Sequence, residues 1–178
     1  MPANNRGTVV AVCRNPQPGL PKPVVESIHL LEGWGVEGDY HAGRFVRHRF
    51  LARKFPTRPN QRQVLLTDTS ILDDLASQDI RLAPGMMGEN LTLDQIAVMQ
   101  LPVGTQLEIG EALIEITEVR NPCHQLNGID PRLLQAVVRK DEGRTRFNAG
   151  VLARILRSGW VRPGDAVRVL TAQEAANN

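Results

Sequence analysis

The sequence has few cysteines, few aromatic residues and no long apolar run. Its two cysteines, Cys13 and Cys123, are far apart in sequence and form no disulfide framework, which is typical of a protein from a reducing cytosol. Two thiols are also too few for an iron–sulfur cluster of its own, which needs about four thiolates. No run approaches the roughly 20 apolar residues of a membrane span, and the N-terminus lacks a signal core. These absences predict a cytoplasmic protein with no membrane partner.

Aromatic residues make up only 4% of the chain, so valine, leucine, isoleucine and alanine must form most of the core. The hydrophobic fraction of 42% is sufficient for one core. At 178 residues we expect a single domain over 1–178, with a frayed tail over 171–178.

Acidic residues are absent between Asp39 and Asp68, although seven lysines and arginines lie there. The segment from Arg44 to Arg62 also has phenylalanines at a spacing of five, which predicts neither a clean helix nor a strand. We favour a solvated lid for this segment. An anion funnel for a small ligand is the second interpretation. A nucleic-acid surface is the third, and it is disfavoured because this is a single segment in an arginine-rich chain.

Short apolar stretches separated by Gly and Pro turns predict a mainly β fold. A hairpin is expected over 107–120, with its turn at Gly110-Glu111. We expect about seven to nine strands in a barrel or sandwich, with a few short helices. The strands are expected at 7–12, 24–31, 63–67, 107–120, 151–156 and 166–170, with another short one after Leu91.

Two helices are predicted from their start signals. Asp68 is a candidate N-cap for a helix that ends before Pro84, and Asp130-Pro131 provides an N-cap and first-turn proline for another. The buried stripes are expected at Ile71, Leu72 and Leu75 in the first helix, and at Leu133, Leu134, Val137 and Val138 in the second.

Cys123 is the most informative candidate site residue, because it follows an alternating apolar strand and precedes a loop that ends at Gly128. Pro122 stiffens the approach to it and removes one backbone donor. A thiol at a strand end is held by rigid backbone yet can be reached by a ligand. Taken alone, the pattern leaves a metal ligand, a sulfur carrier, a nucleophile and a small buried hydrophobe open. Cys13, inside the first strand, is expected to be packing.

Three further motifs contain candidate site residues. Asp39 precedes His41 by two residues and is able to orient its imidazole. The alternative is an ordinary surface loop without a functional role. The stretch Gly85-x-x-Gly88-Glu89-Asn90 combines glycines for an anion-binding nest with a carboxylate and an amide for a heteroaromatic ligand. Its alternative is a tight structural loop. Arg62 shares a strand face with Val64 and Leu66, where it either caps the strand at the rim or holds a phosphate.

The order of these motifs resembles that of the MOSC domain, the C-terminal domain of molybdenum cofactor sulfurases. The resemblance extends over about residues 7–170. The motifs that carry it, in chain order, are Gly38-Asp39-x-His41, Arg62-x-Val64-x-Leu66, Gly85-x-x-Gly88-Glu89-Asn90-Leu91, Gly104 with Ile109-Gly110, Pro122-Cys123 and Gly159-x-Val161-x-Pro163-Gly164-Asp165.

This resemblance implies a β-barrel like the small barrel domain of pyruvate kinase, and a molybdopterin-type cofactor. Cys123 matches the family cysteine that either ligates molybdenum or carries sulfur, and a soft thiolate suits such a metal. Arginines near motif positions, Arg62, Arg144 and Arg146, are expected to hold the cofactor phosphate. The implied cofactor pocket also includes Gly88, Glu89 and Asn90, while Asp39 or His41 moves protons.

Three functions remain open on this basis. The first is reduction of small N-hydroxylated compounds at bound molybdenum, with electrons from a separate flavin or iron–sulfur partner. The second is a sulfur carrier in cofactor maturation, with a persulfide on Cys123 supplied by a cysteine desulfurase. The third is a non-catalytic cofactor-binding module. The chain contains no segment that matches the pyridoxal-phosphate desulfurase of full cofactor sulfurases.

Overall fold

The structure is a computed structural model that describes residues 4–178, without the side chains of Arg49 and Asp141. The strands, in chain order, are β1 Arg6–Cys13, β2 Val24–Val25, β3 Ile28–Leu31, β4 Gly35–Val36, β5 Val64–Asp68, β6 Leu91–Asp94, β7 Gln106–Ile109, β8 Ala112–Val119, β9 Val138–Asp141, β10 Arg144–Phe147, β11 Val151–Arg157, β12 Gly159–Val161 and β13 Ala166–Val169. The α-helices are α1 Arg49–Lys54, α2 Thr69–Ala76, α3 Leu133–Ala136 and α4 Ala172–Ala176. Two 3-10 helices lie at Val98–Gln100 and His124–Gly128.

Seven strands close into a barrel in the order β13-β7-β8-β11-β5-β6-β1. The barrel closes where β1 pairs with β13, with Gly7 opposite Val167. The pair β5–β6 is parallel, and the other neighbours in the ring are antiparallel. A mainly β barrel with short helices is therefore confirmed.

Aliphatic side chains fill the barrel. Leu66, Leu91, Leu107 and Ile114 are completely buried, and all of β5 is buried. Both tryptophans lie on the outside, with Trp34 47% exposed. The sequence prediction of an aliphatic core is confirmed.

Local sequence signals explain several elements. The Asp68 side chain accepts a hydrogen bond from Ile71 N at 3.2 Å and caps α2, as predicted. The predicted hairpin is formed by β7 and β8, which pair from Gln106–Glu115 to Ile109–Ala112 around the turn at Gly110-Glu111. The stretch from 24 to 31 is interrupted at Glu26-Ser27, so it forms β2 and β3 instead of one strand.

Helical structure departs from the sequence prediction in three segments. Residues 44–62 were expected to contain no helix, yet α1 forms there through local bonds such as Ala52 N to His48 O. The tail was expected to fray, but Thr171 and Glu174 form a capping box that starts α4. The helix predicted from Asp130 does form, but as a single turn whose N-cap is Arg132. The Asp130 side chain accepts a hydrogen bond from the Arg132 backbone N–H.

Smaller sheets lie outside the barrel. The order β12-β3-β4 makes one, and β9 with β10 makes a hairpin that carries Arg144 and Arg146. Leu133 and Val137 are buried as predicted, whereas Leu134 and Val138 are half-buried, and Val138 begins β9. Among the described residues, no helix is long and apolar enough to cross a membrane.

Candidate functional site

A cavity of about 380 Å³ contains the Cys123 loop in its wall. This volume lies within the range of pockets that hold small molecules and cofactors. The opposite wall comes from the segment 44–62, which we call the basic arm. Polar or reactive side chains that line the cavity are His48, Arg58, Arg62, Glu118 and Cys123.

The barrel positions Cys123 directly. Strand β8 ends at Val119, and Arg120 N donates to Gly150 O at 3.0 Å, which fixes the chain just before the cysteine. Cys123 then starts the 3-10 helix, with Leu126 N donating to its carbonyl at 3.2 Å. Its thiol is half-buried and lies 3.8 Å from Gln125 Oε1. The predicted position at a strand end is what the structure shows.

The basic arm is closed at its base by backbone hydrogen bonds. Val46 N donates to Arg58 O at 2.9 Å, and Asn60 N donates to Arg44 O at 3.0 Å. The Asn60 amide also donates to the carbonyls of His41 and Gly43. This base holds the arm over the barrel edge, so that its inner side forms part of the cavity.

His48 lies in this cavity and was not predicted from the sequence. Its buried Nδ1 has no hydrogen-bond partner among the described residues. Burial lowers the pKa of the imidazole, and the nearby charges of Arg62 and His41 lower it further, so His48 is neutral at neutral pH. A buried polar atom without a partner is the kind of group that a ligand satisfies. The sequence held no signal for His48, because only the fold of the arm brings it to Cys123.

Arg120 is the second residue that sequence reasoning missed. It is 8% exposed and donates one long hydrogen bond, to Ala149 O at 3.5 Å. In residues 4–178 as described, it has no carboxylate at ion-pair distance. Burial lowers the pKa of its guanidinium, but arginine remains charged because its ordinary pKa is so high. Arg120 also lies within electrostatic range of Cys123. Arg120 is thus a buried cation within electrostatic range of both the Glu89 carboxylate and the Cys123 thiol, and it is not among the residues that line the described cavity.

Arg62 occupies the rim just before β5. Its Nη1 lies 2.8 Å from Glu118 Oε1, and both residues line the cavity. Arg62 and Cys123, both predicted site residues, are therefore brought to one cavity.

Asp39 and His41 form a separate cluster. Asp39 Oδ1 lies 3.4 Å from His41 Nδ1, and the carboxylate pairs with buried Lys22 at 2.9 Å. Burial alone would raise the pKa of Asp39, but hydrogen bonds from His41 and the charge of Lys22 outweigh it and hold that pKa well below its usual range. Asp39 therefore stays ionised at neutral pH and is not a proton donor there. The His41 side chain is 39% exposed.

Glu89 and Asn90 point into the protein. The Glu89 carboxylate accepts from Gly85 N at 2.8 Å and from Met87 N at 3.1 Å, which closes the predicted glycine turn. The Asn90 amide donates to Cys13 O and accepts from Leu65 N, so it joins two strands. Gly88, at φ +86°, packs against Leu20. None of Gly88, Glu89 and Asn90 is among the residues that line the described cavity.

Arg144 and Arg146 lie on β10 in the β9–β10 hairpin and are exposed. Neither lines the described cavity. The structure therefore does not place these two arginines beside Arg62 and Cys123 in the wall of this cavity.

Comparison with known proteins decides the family. The family model for the MOSC domain matches residues 37–168, which include the basic arm, the cavity and most of the barrel. The chain belongs to the MOSC domain family. The resemblance drawn from its motif order is thereby confirmed.

Solved structures share the fold of this MOSC domain. The YUAD protein from Bacillus subtilis superimposes with a TM-score of 0.75 at 18% identity, over 92% of this chain and 95% of that chain. YiiM from Escherichia coli superimposes with a TM-score of 0.63 at 22% identity, over 96% of this chain and 76% of that chain. Likeness at these identities establishes the fold.

One curated relative carries a functional name. A protein from Gibberella moniliformis called "Reductase" is 32% identical over 89 residues, which is 48% of this chain. The MOSC domain described here spans only 15% of the length of that protein.

The donor set of the MOSC domain cavity fits an anionic, metal-bearing cofactor. Cys123 offers one soft thiolate ligand, His48 has a buried nitrogen without a partner among the described residues, and the cations Arg58 and Arg62 line the same cavity. In the described residues, no three His, Cys, Asp or Glu side chains come together as a metal-binding group. A metal that arrives in an organic ligand needs only one such protein ligand, and Cys123 meets that need.

Cys13 takes no part in this site. It is completely buried, and burial, followed by the charge of Glu89, raises the pKa of its thiol to about 12. The prediction that Cys13 is packing is consistent with both observations. The MOSC domain thus has one accessible thiol and one inert thiol.

Proposed function

We propose that this MOSC domain binds a molybdenum cofactor through Cys123 and reduces small N-hydroxylated compounds. The observation that carries the proposal is the half-buried Cys123 thiol in a cavity that Arg58 and Arg62 also line, with the buried Arg120 cation within electrostatic range of the thiol. A thiolate, the form that ligates metals, is stabilised by nearby cations. The two cysteines of the chain also favour a reducing cytoplasm as its location.

The arginines are assigned to the anionic part of the cofactor. Arg120 has donors to spare after its single bond to Ala149 O, and a planar guanidinium suits phosphate oxygens. Arg62 shares its charge with Glu118 at the rim. We therefore assign the rim contact to Arg62, which lines the cavity, and assign to Arg120, which does not, a longer-range electrostatic role behind the thiol. Arg144 and Arg146, which lie on β10 outside the lining of the described cavity, stay as predicted phosphate ligands.

The reaction breaks an N–O bond. A hydroxylamine takes up two electrons and two protons and leaves as an amine and water, with the electrons supplied by a separate flavin or iron–sulfur protein. When bound, the molybdenum cofactor would supply the two-electron redox chemistry. His41, 39% exposed in its side chain and outside the described cavity, is assigned the exchange of protons with solvent, and neutral His48 is assigned the binding of a polar group of the ligand.

Turnover with a small reductant tests this proposal. Protein purified from a host that makes the cofactor should reduce benzamidoxime to benzamidine with dithionite-reduced methyl viologen. Cys123→Ser should lose the activity. Cys13→Ala, which removes the buried thiol, is the matched control and should keep it. Equal activity in the two variants would overturn the assignment of Cys123.

A sulfur carrier is the second candidate, because the accessibility of the Cys123 thiol favours it. In that reaction a desulfurase persulfide transfers its outer sulfur to the Cys123 thiolate, and the desulfurase cysteine leaves as a thiolate. Intact-mass measurement after incubation with a cysteine desulfurase and cysteine tests it. A gain of one sulfur on Cys123, reversed by dithiothreitol, without bound molybdenum, would favour the carrier. Bound cofactor without turnover would favour a storage module.

A further inference from the structure

The basic arm carries all of the excess positive charge of the chain. Residues 44–62 hold seven of the 21 lysines and arginines and no acidic residue. The other residues hold fourteen lysines and arginines against nineteen aspartates and glutamates, so they are net acidic. The arm is therefore a region of concentrated positive charge, and it forms one wall of the cavity that contains Cys123. Such a charge distribution steers acidic partners to one place.

The arm combines this charge with exposed aromatic rings, of which Phe50 also lines the cavity. Phe45, Phe50 and Phe55 are 41%, 64% and 42% exposed. Arg53 and Lys54 are also exposed. Aromatic residues together with arginine are enriched in protein interfaces. We call this surface of Phe45, Phe50, Arg53, Lys54 and Phe55 the arm face.

Cations lie over two of these rings. The Lys54 ammonium is 5.4 Å and the Arg58 guanidinium 5.8 Å from the centre of the Phe55 ring, and Arg44 is 5.7 Å from the Phe45 ring. These contacts order the cations. They also occupy the ring faces on which nucleotide bases would stack, which argues against a single-stranded nucleic acid.

The two sides of the basic arm suit ligands of different size. Arg58 and Arg62 line the cavity and are available to a small anion. Arg53 and Lys54 do not line the described cavity, so a ligand inside it does not account for them. Their position suits a larger acidic partner that contacts the arm from outside.

We propose that the arm face is the docking site of an acidic electron-carrier protein. The proposal rests on the reductase function proposed above. An acidic partner complements the charge of Arg53 and Lys54, and the exposed Phe50 ring, which also lines the cavity, provides the apolar centre of the contact. Docking on the arm places the partner next to the cavity of Cys123, because one segment forms both surfaces.

Binding to a bacterial flavodoxin, a small acidic flavoprotein, tests the docking site. Isothermal titration compares wild type with Arg53→Gln/Lys54→Gln and with Arg6→Gln/Lys140→Gln, exposed residues away from the arm. Glutamine removes the charge but keeps helix propensity. We expect about tenfold weaker binding for the arm variant and little change for the control. Wild-type binding should weaken between about 0.01 M and about 0.15 M ionic strength. The alkylation rate of Cys123 should be the same in all three proteins if the cavity is intact.

Three results would overturn the docking site: no binding at low ionic strength, equal weakening in both double variants, or tighter binding of the arm to oligouridine or phosphatidylglycerol vesicles than to flavodoxin. The reductase proposal fails separately. Its failure is absence of turnover with reduced methyl viologen, which needs no protein partner. Flavodoxin binding at the arm would still be measured in that case.

Discussion

Lys22 Nζ lies 2.9 Å from Asp39 Oδ2, and the two side chains are 4% and 2% exposed. Asp39 also accepts hydrogen bonds from Asn15 N and the Asn90 amide. This one carboxylate therefore connects the loop before β2, the loop of His41 and the turn before β6. Its first role in this structure is to hold those loops together.

Replacing Lys22 should destabilise the fold strongly. Lys22→Met leaves the Asp39 carboxylate buried without its cation, and breaking a buried pair costs about 3–5 kcal/mol. Urea unfolding measures the loss. The exposed pair of Arg132 and Asp130 is the control, and Arg132→Met should change the stability little. A loss for Lys22→Met below about 1 kcal/mol would contradict the role given to this pair.

The ionisation of Asp39 should also make the free energy of unfolding depend on pH. Its pKa in the folded state lies below the unfolded value of about 3.9. The stabilisation is therefore fully present above that value and is lost as the pH falls from about 4 towards the folded pKa. Stability against urea between neutral pH and pH 3 should fall less steeply in Asp39→Asn than in wild type. Parallel curves would show that another group causes the acid dependence.

Gly85 should tolerate no side chain. A Cβ there would lie 2.1 Å from Lys22 O, and the residue has φ +85°. Gly164 has a similar φ of +88° but nothing within 4 Å of a built Cβ. Gly164→Ala should cost about 1 kcal/mol from backbone strain alone. Gly85→Ala should cost clearly more or prevent folding. Similar melting temperatures for the two variants would contradict this close approach.

The two thiols should react differently. Cys123 is half-buried, whereas Cys13 is completely buried and its pKa is raised by burial to about 12. Ellman's reagent should therefore titrate one thiol in the native protein and both in guanidinium chloride. Cys123→Ser should show no reactive thiol in its native state. Reaction of Cys13 in native Cys123→Ser would contradict this prediction and would show that the β1 region opens.

Local patterns predicted much of the barrel. The β7–β8 hairpin follows from alternation and a Gly-Glu turn, and α2 follows from the Asp68 cap. The short helix α1 was missed, because Phe50, 64% exposed, gives no amphipathic period. The same limitation applies to α4, which its capping box stabilises without any buried residue.

The site was predicted in part. Cys123 and Arg62 do line one cavity, because each lies at the end of a strand that the sequence pattern revealed. His48 and Arg120 were missed, since their importance depends on contacts between distant segments. The roles predicted for Glu89 and Asn90 stay untested. Their side chains make hydrogen bonds within the protein that no linear motif discloses.

Metal and pterin content, measured together, tests the central claim most directly. Wild-type protein and Cys123→Ser would be purified from a host that makes the cofactor, with Cys13→Ala beside them. Plasma mass spectrometry would give molybdenum, and fluorescence of the oxidised pterin would give the organic part. We predict molybdenum and pterin in comparable amounts in wild type and Cys13→Ala, and loss of molybdenum in a folded Cys123→Ser. Undiminished molybdenum in Cys123→Ser, or neither component in wild type, would contradict the account.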